Sequence, residues 1–110
     1  MVNISGKNIY LTRGDSVGLQ IVIKYSDDTL YELEEGDRVI FGAKEDYDDE
    51  NYVIKKELGS DLVLVIDPED TASLEMPSSL VYDIQIIFAS GEVNTVIKGK
   101  IYIQEEVIYG

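Results

Sequence analysis

The sequence predicts an all-β fold, an antiparallel sandwich crossed once by a short helix, and three features predict it. Apolar residues alternate with polar ones along most apolar stretches, the period-2 signature of strands that bury one face. These stretches recur about every 8 to 12 residues between clusters of Gly, Asp, Ser and Asn, a rhythm of sandwiches and not of βαβ units. Helix signals are confined to one place. At 110 residues the chain has the size of one self-sufficient core, so one β-sandwich domain is expected over residues 1–110.

In "SVGLQIVIKY" the residues Val17, Leu19, Ile21, Ile23 and Tyr25 share one parity against Gly18, Gln20 and Lys24, which predicts a strand from about Ser16 to Tyr25. "SDDT" at Ser26–Thr29 reads as a turn, "LYEL" as a short extended piece and "EEGD" at Glu34–Asp37 as a second turn, since Asp and Ser bond their own backbone and Gly tolerates tight geometry. "RVIFGAK" places Val39, Phe41 and Ala43 on one face and ends in the acidic loop "EDYDDEN". "YVIKKEL" and "LVLVI" follow as two strands around "GSD", a short Gly-containing connection of the hairpin kind.

"IDPEDTASL" carries the helix signals: Asp67 to accept a first-turn N–H, Pro68 at the first helical position, and Glu69 and Asp70 facing the positive end of the dipole. One or two turns are expected, from Pro68 to about Leu74. "LVYDIQIIFAS" then puts Tyr82, Ile84, Ile86 and Phe88 inward, and "SG" turns the chain into "EVNTVIKGKIYIQ" with Val93, Thr95, Ile97, Gly99, Ile101 and Ile103 inward.

Composition removes several function classes. The chain has no cysteine and no histidine, so disulfides, thiolate nucleophiles, imidazole triads and histidine-ligated zinc cannot be built, and folding in a reducing cytoplasm is expected. Twenty-two acidic against nine basic side chains give a net charge of −13, which repels a nucleic-acid backbone. No apolar run approaches the roughly 20 residues of a membrane span, and "MVNISGKNIYLTRGDS" lacks the apolar core of an export signal. The expected partners include neither nucleic acid nor a membrane.

Candidate sites are few. Glu45, Asp46, Asp48, Asp49 and Glu50 supply carboxylates suited to calcium, but the loop lacks the glycine and the closing bidentate Glu of known calcium loops, so a solvated acidic loop and no metal site are expected. No second acid is placed near Asp83, and no Gly-rich phosphate loop or nucleophile elbow occurs. Catalytic and cofactor-binding residues are thus expected to be absent, and the chain is not expected to be an enzyme.

Eight tyrosines and no tryptophan offer rigid amphipathic area for interfaces or for stacking on sugars. Tyr25, Tyr31, Tyr82 and Tyr52 follow the apolar parity of their segments, whereas Tyr102 opposes Ile101 and Ile103. Val96 shares that outward face with Lys98 and Lys100, and Val22, Ile40 and Ile87 likewise oppose their strands' main parity. Apolar residues on both faces predict association. The candidate interface residues are Val96, Lys98, Lys100 and Tyr102.

"EDTA" also precedes the last core strand of antibody variable domains. Here "SLEMPSSL" intervenes before Tyr82, and the core cysteines and tryptophan are missing, so the antibody reading fails. "LTRGDSVGLQIVIKYSDDTLYELEEGDRVIFGAKE", "LVIDPEDTASL" and "YDIQIIFASGEVNTVIKGKIYIQEEV", in that order and over nearly all of residues 8–107, resemble a family of small domains in phage tail and baseplate proteins, similar to the N-terminal domain of the baseplate upper protein. The resemblance implies an immunoglobulin-like or jelly-roll-like sandwich that attaches or assembles virion parts without catalysis. It also implies a phage or prophage structural protein of the virion, made in the bacterial cytoplasm, whose partners are other phage structural proteins or copies of itself. A carbohydrate- or cell-surface-binding sandwich, with tyrosines stacked on sugar rings, is the alternative.

Overall fold

Alternation along the chain becomes two sheets around one core in the computed structural model, which describes residues 8–25, 27–75 and 78–105. The described residues form β1 (Asn8–Thr12), β2 (Val17–Gln20), β3 (Arg38–Lys44), β4 (Ile54–Leu58), β5 (Val63–Ile66), α1 (Pro68–Ala72), β6 (Ser78–Ile87) and β7 (Val93–Gln104). Five strands join in the order β1-β7-β6-β3-β4, and β2 pairs with β5 in a second sheet. The fold is an all-β sandwich. Its distribution of strands, β7-β6-β3-β4 against β2-β5, corresponds to the G, F, C and C′ strands opposed to B and E in immunoglobulin-like sandwiches.

One pairing departs from the antiparallel expectation. β1 lies parallel to β7, from Asn8 opposite Lys100 to Thr12 opposite Gln104. No turn joins these two strands, because the chain leaves β1 for the other sheet through a tight bend. There the Asp15 N–H donates to the Thr12 carbonyl at 3.1 Å, with Gly14 at a φ of 83° that glycine adopts without steric cost.

The core draws on both sheets. Leu19, Leu64 and Ile66 of the small sheet share a cluster with Val39, Phe41, Leu80, Ile84 and Ile101 of the large one. The Phe41 and Tyr82 rings lie 5.5 Å apart within it. Burying each such large apolar side chain stabilises the fold by about 1.5–3 kcal/mol. Along β6 the alternation is regular, with Leu80, Tyr82, Ile84 and Ile86 buried and the residues between them half-buried.

β7 breaks that regularity. Ile84 stands opposite Ile97 but Gln85 stands opposite Thr95, so Val96 is an extra residue in β7. A bulge shifts every position before it by one, which reverses the parity. Ile101 and Ile103 are buried as the pattern requires, whereas Val93 and Thr95, expected inward, are exposed.

β2 ends its ladder at Gln20, short of the expected strand end at Tyr25. Backbone bonding continues in another form, since the Ile21 N–H donates to Leu62 and the Tyr31 N–H donates to Ile23 at 2.9 and 2.7 Å. Ile21 and Ile23 are accordingly buried, while Tyr25 enters the turn and is 49% exposed, against its apolar parity.

"GSD" does not close a hairpin. β4 belongs to the large sheet and β5 to the small one, so the turn carries the chain across the sandwich. Leu62 adopts a φ of 52° there while its side chain stays in the core.

α1 forms where its signals fall and reaches Ala72, with Ser73 as C-cap. Asp67 is its N-cap, as expected, and stands opposite Asp70 in a capping box. The Asp67 carboxylate faces the Asp70 N–H, and in return the Asp67 N–H donates to Asp70 Oδ2 at 2.8 Å. Lys56 Nζ binds both carboxylates, Asp70 at 2.9 Å and Asp67 at 3.3 Å, and the Asp70 hydrogen bond raises the Lys56 pKa. The bend after β1 holds the helix from the other side, because the Gly14 N–H donates to the buried Thr71 Oγ1 and Arg13 donates to the Leu74 carbonyl, each at 2.9 Å.

Candidate interaction face

The sheet registers collect the outward side chains of the large sheet into rows. Tyr10, Tyr102 and Ser79 make one row, and Asn8, Lys100, Val81 and Lys44 the next. Lys98, Asp83, Gly42 and Lys55 make a third. Ile40 lies between Gln85 and Glu57, and Arg38 opposite Ile87, toward the far end. Arg38, Lys44, Lys55, Lys98 and Lys100 therefore share this face, out of nine basic residues in the chain, with only Asp83 and Glu57 as carboxylates in these rows.

Gly42 shapes the middle of the face. Tyr52 covers it so closely that a Cβ on residue 42 would meet Tyr52 Cε1 at 2.5 Å and Cδ1 at 3.0 Å. Lys44 Nζ and Lys55 Nζ stand 4.9 and 5.1 Å from the centre of the Tyr52 ring, near enough for cation–π attraction. Among the described residues neither ammonium group has a carboxylate within salt-bridge distance, and the same holds for Lys98 and Lys100. Beside Tyr52 lies a shallow hollow of about 210 Å³ lined by Lys44, Tyr47, Tyr52, Asp83 and Gln85.

Of the four residues singled out from sequence, three lie on this face. Lys98 and Lys100 are exposed and Tyr102 is half-buried, its ring stacked 5.2 Å from that of Tyr10 at an interplanar angle of 20°. Val96 is the bulge residue and packs against the core. Tyr52, expected inward with the apolar parity, is 47% exposed on the sheet. A glycine inside an apolar strand signals close approach of another group, and "FGA" at Phe41–Ala43 was the one available sign of the Tyr52 contact.

Most other acidic side chains gather in two segments, the second of which adjoins Lys44 and Tyr52. Asp27, Asp28, Glu32, Glu34 and Glu35 are exposed in the segment between β2 and β3, and Glu45–Glu50 is exposed throughout. The first segment is anchored through Asp37, whose carboxylate accepts from the Tyr31 hydroxyl at 2.9 Å and from the Ala89 N–H at 3.0 Å. Burial and then that hydrogen bond push the Tyr31 pKa up to about 12. In the second loop Asp49 turns back on the chain, accepting from the Asp46 N–H at 3.1 Å. Among the described residues no group of three or more potential metal ligands converges, and no helix is long and apolar enough to cross a membrane.

The outer face of the small sheet differs in kind. Val22, Leu30 and Val65 are exposed there, at 46%, 61% and 49%, with a shallow hollow beside Val22 and Leu30. The large-sheet face thus carries the charge contrast and the small-sheet face the apolar exposure. No protein-family model, curated protein or solved structure matches the chain.

Proposed function

We propose that the chain is a non-enzymatic structural protein of a phage or prophage tail or baseplate, an assembly or attachment module that docks through the outer face of its five-stranded sheet. The observation that carries the docking role is the segregation of charge. Five of the nine basic residues sit on one sheet face of a chain whose net charge is −13, and exposed tyrosines stand among them. Such a face steers toward an acidic protein surface and gains contact area from rigid rings. The ordered resemblance over residues 8–107 supplies the phage context, and the absence of cysteine and histidine supports a role without catalysis. Its place is the virion, after synthesis in the bacterial cytoplasm, among other phage structural proteins or copies of itself.

Mass spectrometry of purified virions tests this reading. The chain should be present, and Lys98→Glu with Lys100→Glu should lower its incorporation while leaving its circular dichroism unchanged. Virions that lack the wild-type chain contradict it.

A second reading, a carbohydrate-binding module, is favoured by one observation, the hollow where Tyr47 and Tyr52 stand beside Asp83 and Gln85. Host cell-wall polysaccharide that shifts the Tyr47 and Tyr52 ring resonances at millimolar sugar would select it over assembly.

A further inference from the structure

We infer that the Lys44–Tyr52–Lys55 cluster holds the acidic Glu32–Glu35 segment of a second copy, so that chains add head to tail. This rests on the assembly role proposed above and names the partner of its docking face. Lys44 and Lys55 crowd one tyrosine ring, and among the described residues no carboxylate lies within salt-bridge distance of either. An arriving carboxylate removes the repulsion between them and gains two charge-assisted hydrogen bonds.

The chain itself supplies suitable carboxylates in a place where they cannot serve their own lysines. Residues 27–37 hold six acids and no basic residue, and Glu32, Glu34 and Glu35 are exposed with no basic partner among the described residues. This segment ends where β3 begins, whereas Lys44 ends β3. Seven strand residues span roughly 20 Å, so the segment lies before the Arg38 end of β3 while the cluster lies toward its Lys44 end.

That separation requires a second copy to bring the two together. Setting cluster directly on cluster would oppose lysine to lysine, while placing the acidic end of one copy on the cluster of the next joins opposite charges and, where the contact is not returned, is heterologous. The loop at residues 45–50 follows Lys44 directly and already sits in its field, which makes it the weaker donor. At physiological salt the Debye length is about 8 Å, so the like net charges of two copies are largely screened while direct contacts persist.

Sedimentation velocity at micromolar concentration tests the inference with two neutralised variants, Lys44→Gln with Lys55→Gln and Glu32→Gln with Glu34→Gln and Glu35→Gln. The wild type should associate, at least tenfold more weakly when salt is raised severalfold. Each variant alone should be monomeric. Their equimolar mixture should form a dimer and stop there, because only one working face and one working segment remain. Neutralising Glu45, Asp46, Asp48, Asp49 and Glu50 should leave association intact. A monomeric wild type, a wild type that stops at a dimer, association unaffected by either variant, or a mixture that stays monomeric overturns the head-to-tail contact. Detection of the chain in virions decides the assembly role separately, since a chain that is monomeric alone yet present in particles docks on another protein.

Discussion

Tyr52 lies over Gly42, its Cε1 2.5 Å from where a Cβ would stand. The contact joins the end of the acidic loop to the centre of the large sheet and holds the ring between Lys44 and Lys55. Gly42→Ala should displace the ring at a cost of about 1 kcal/mol, the low end of overpacking, because the half-exposed ring can swing outward. If the cost comes from this clash, adding Gly42→Ala to Tyr52→Ala should cost much less than adding it to the wild type, which chemical denaturation of the four proteins measures. Additive costs would contradict the contact.

The helix start makes an asymmetric prediction. Asp70 accepts the Asp67 N–H and binds Lys56 more closely than Asp67 does. Asp70→Ala should cost about 1–2 kcal/mol and Asp67→Ala about 1 kcal/mol, because each removes one side of the capping box and Asp70 also holds the shorter bond to Lys56. Chemical unfolding that ranks the two in the opposite order, or leaves both variants as stable as the wild type, would contradict this.

Thr71 is fully buried, and its hydroxyl accepts the Gly14 N–H. Thr71→Val keeps the shape and leaves that donor without its acceptor, a loss of roughly 1–3 kcal/mol. Thr71→Ser retains the oxygen and should recover a part of it. Equal stability of the valine and serine variants would mean that the hydrogen bond contributes nothing.

Alkaline pH should destabilise the fold. Burial raises Tyr31 and Tyr82 to about 12, and the Asp70 hydrogen bond raises Lys56 above its ordinary value. In each case the folded state favours the protonated form, so the unfolded chain loses its proton first. The stability the two tyrosines contribute is intact below about pH 10, their ordinary value, and is lost as pH rises through about 12, and Lys56 adds a loss in the same direction. Absorbance titration of tyrosinate should show a late step near pH 12 that Tyr31→Phe diminishes, and melting temperature should fall over the same window. A melting temperature that stays constant up to pH 12 would contradict these shifts.

Local features of the fold were legible in the sequence and long-range ones were not. β3 occupies Arg38–Lys44 as read, because a half-buried strand writes its alternation into consecutive residues. The inward set of β6 was legible for the same reason. Val96 shows the limit, since a one-residue bulge reverses the face of Val93 and Thr95 without leaving a mark in composition. "GSD" shows another: a short Gly turn joins two strands of one sheet or two strands of opposite sheets with the same residues. The parallel placement of β1 beside β7 depends on contacts some 90 residues apart, to which periodicity is blind. On the candidate face Lys98, Lys100 and Tyr102 were found by parity, whereas Lys44, Lys55 and Tyr52 were missed because only the paired strands bring them together.

Covalent labelling of lysines, compared between the isolated chain and the purified particle, tests the docking face most directly and works whichever protein the partner is. Lys44, Lys55, Lys98 and Lys100 should be labelled in the isolated chain and protected in the particle, while Lys56, held by Asp67 and Asp70, should react alike in both. Equal labelling of the four face lysines in the two states would contradict docking through this face.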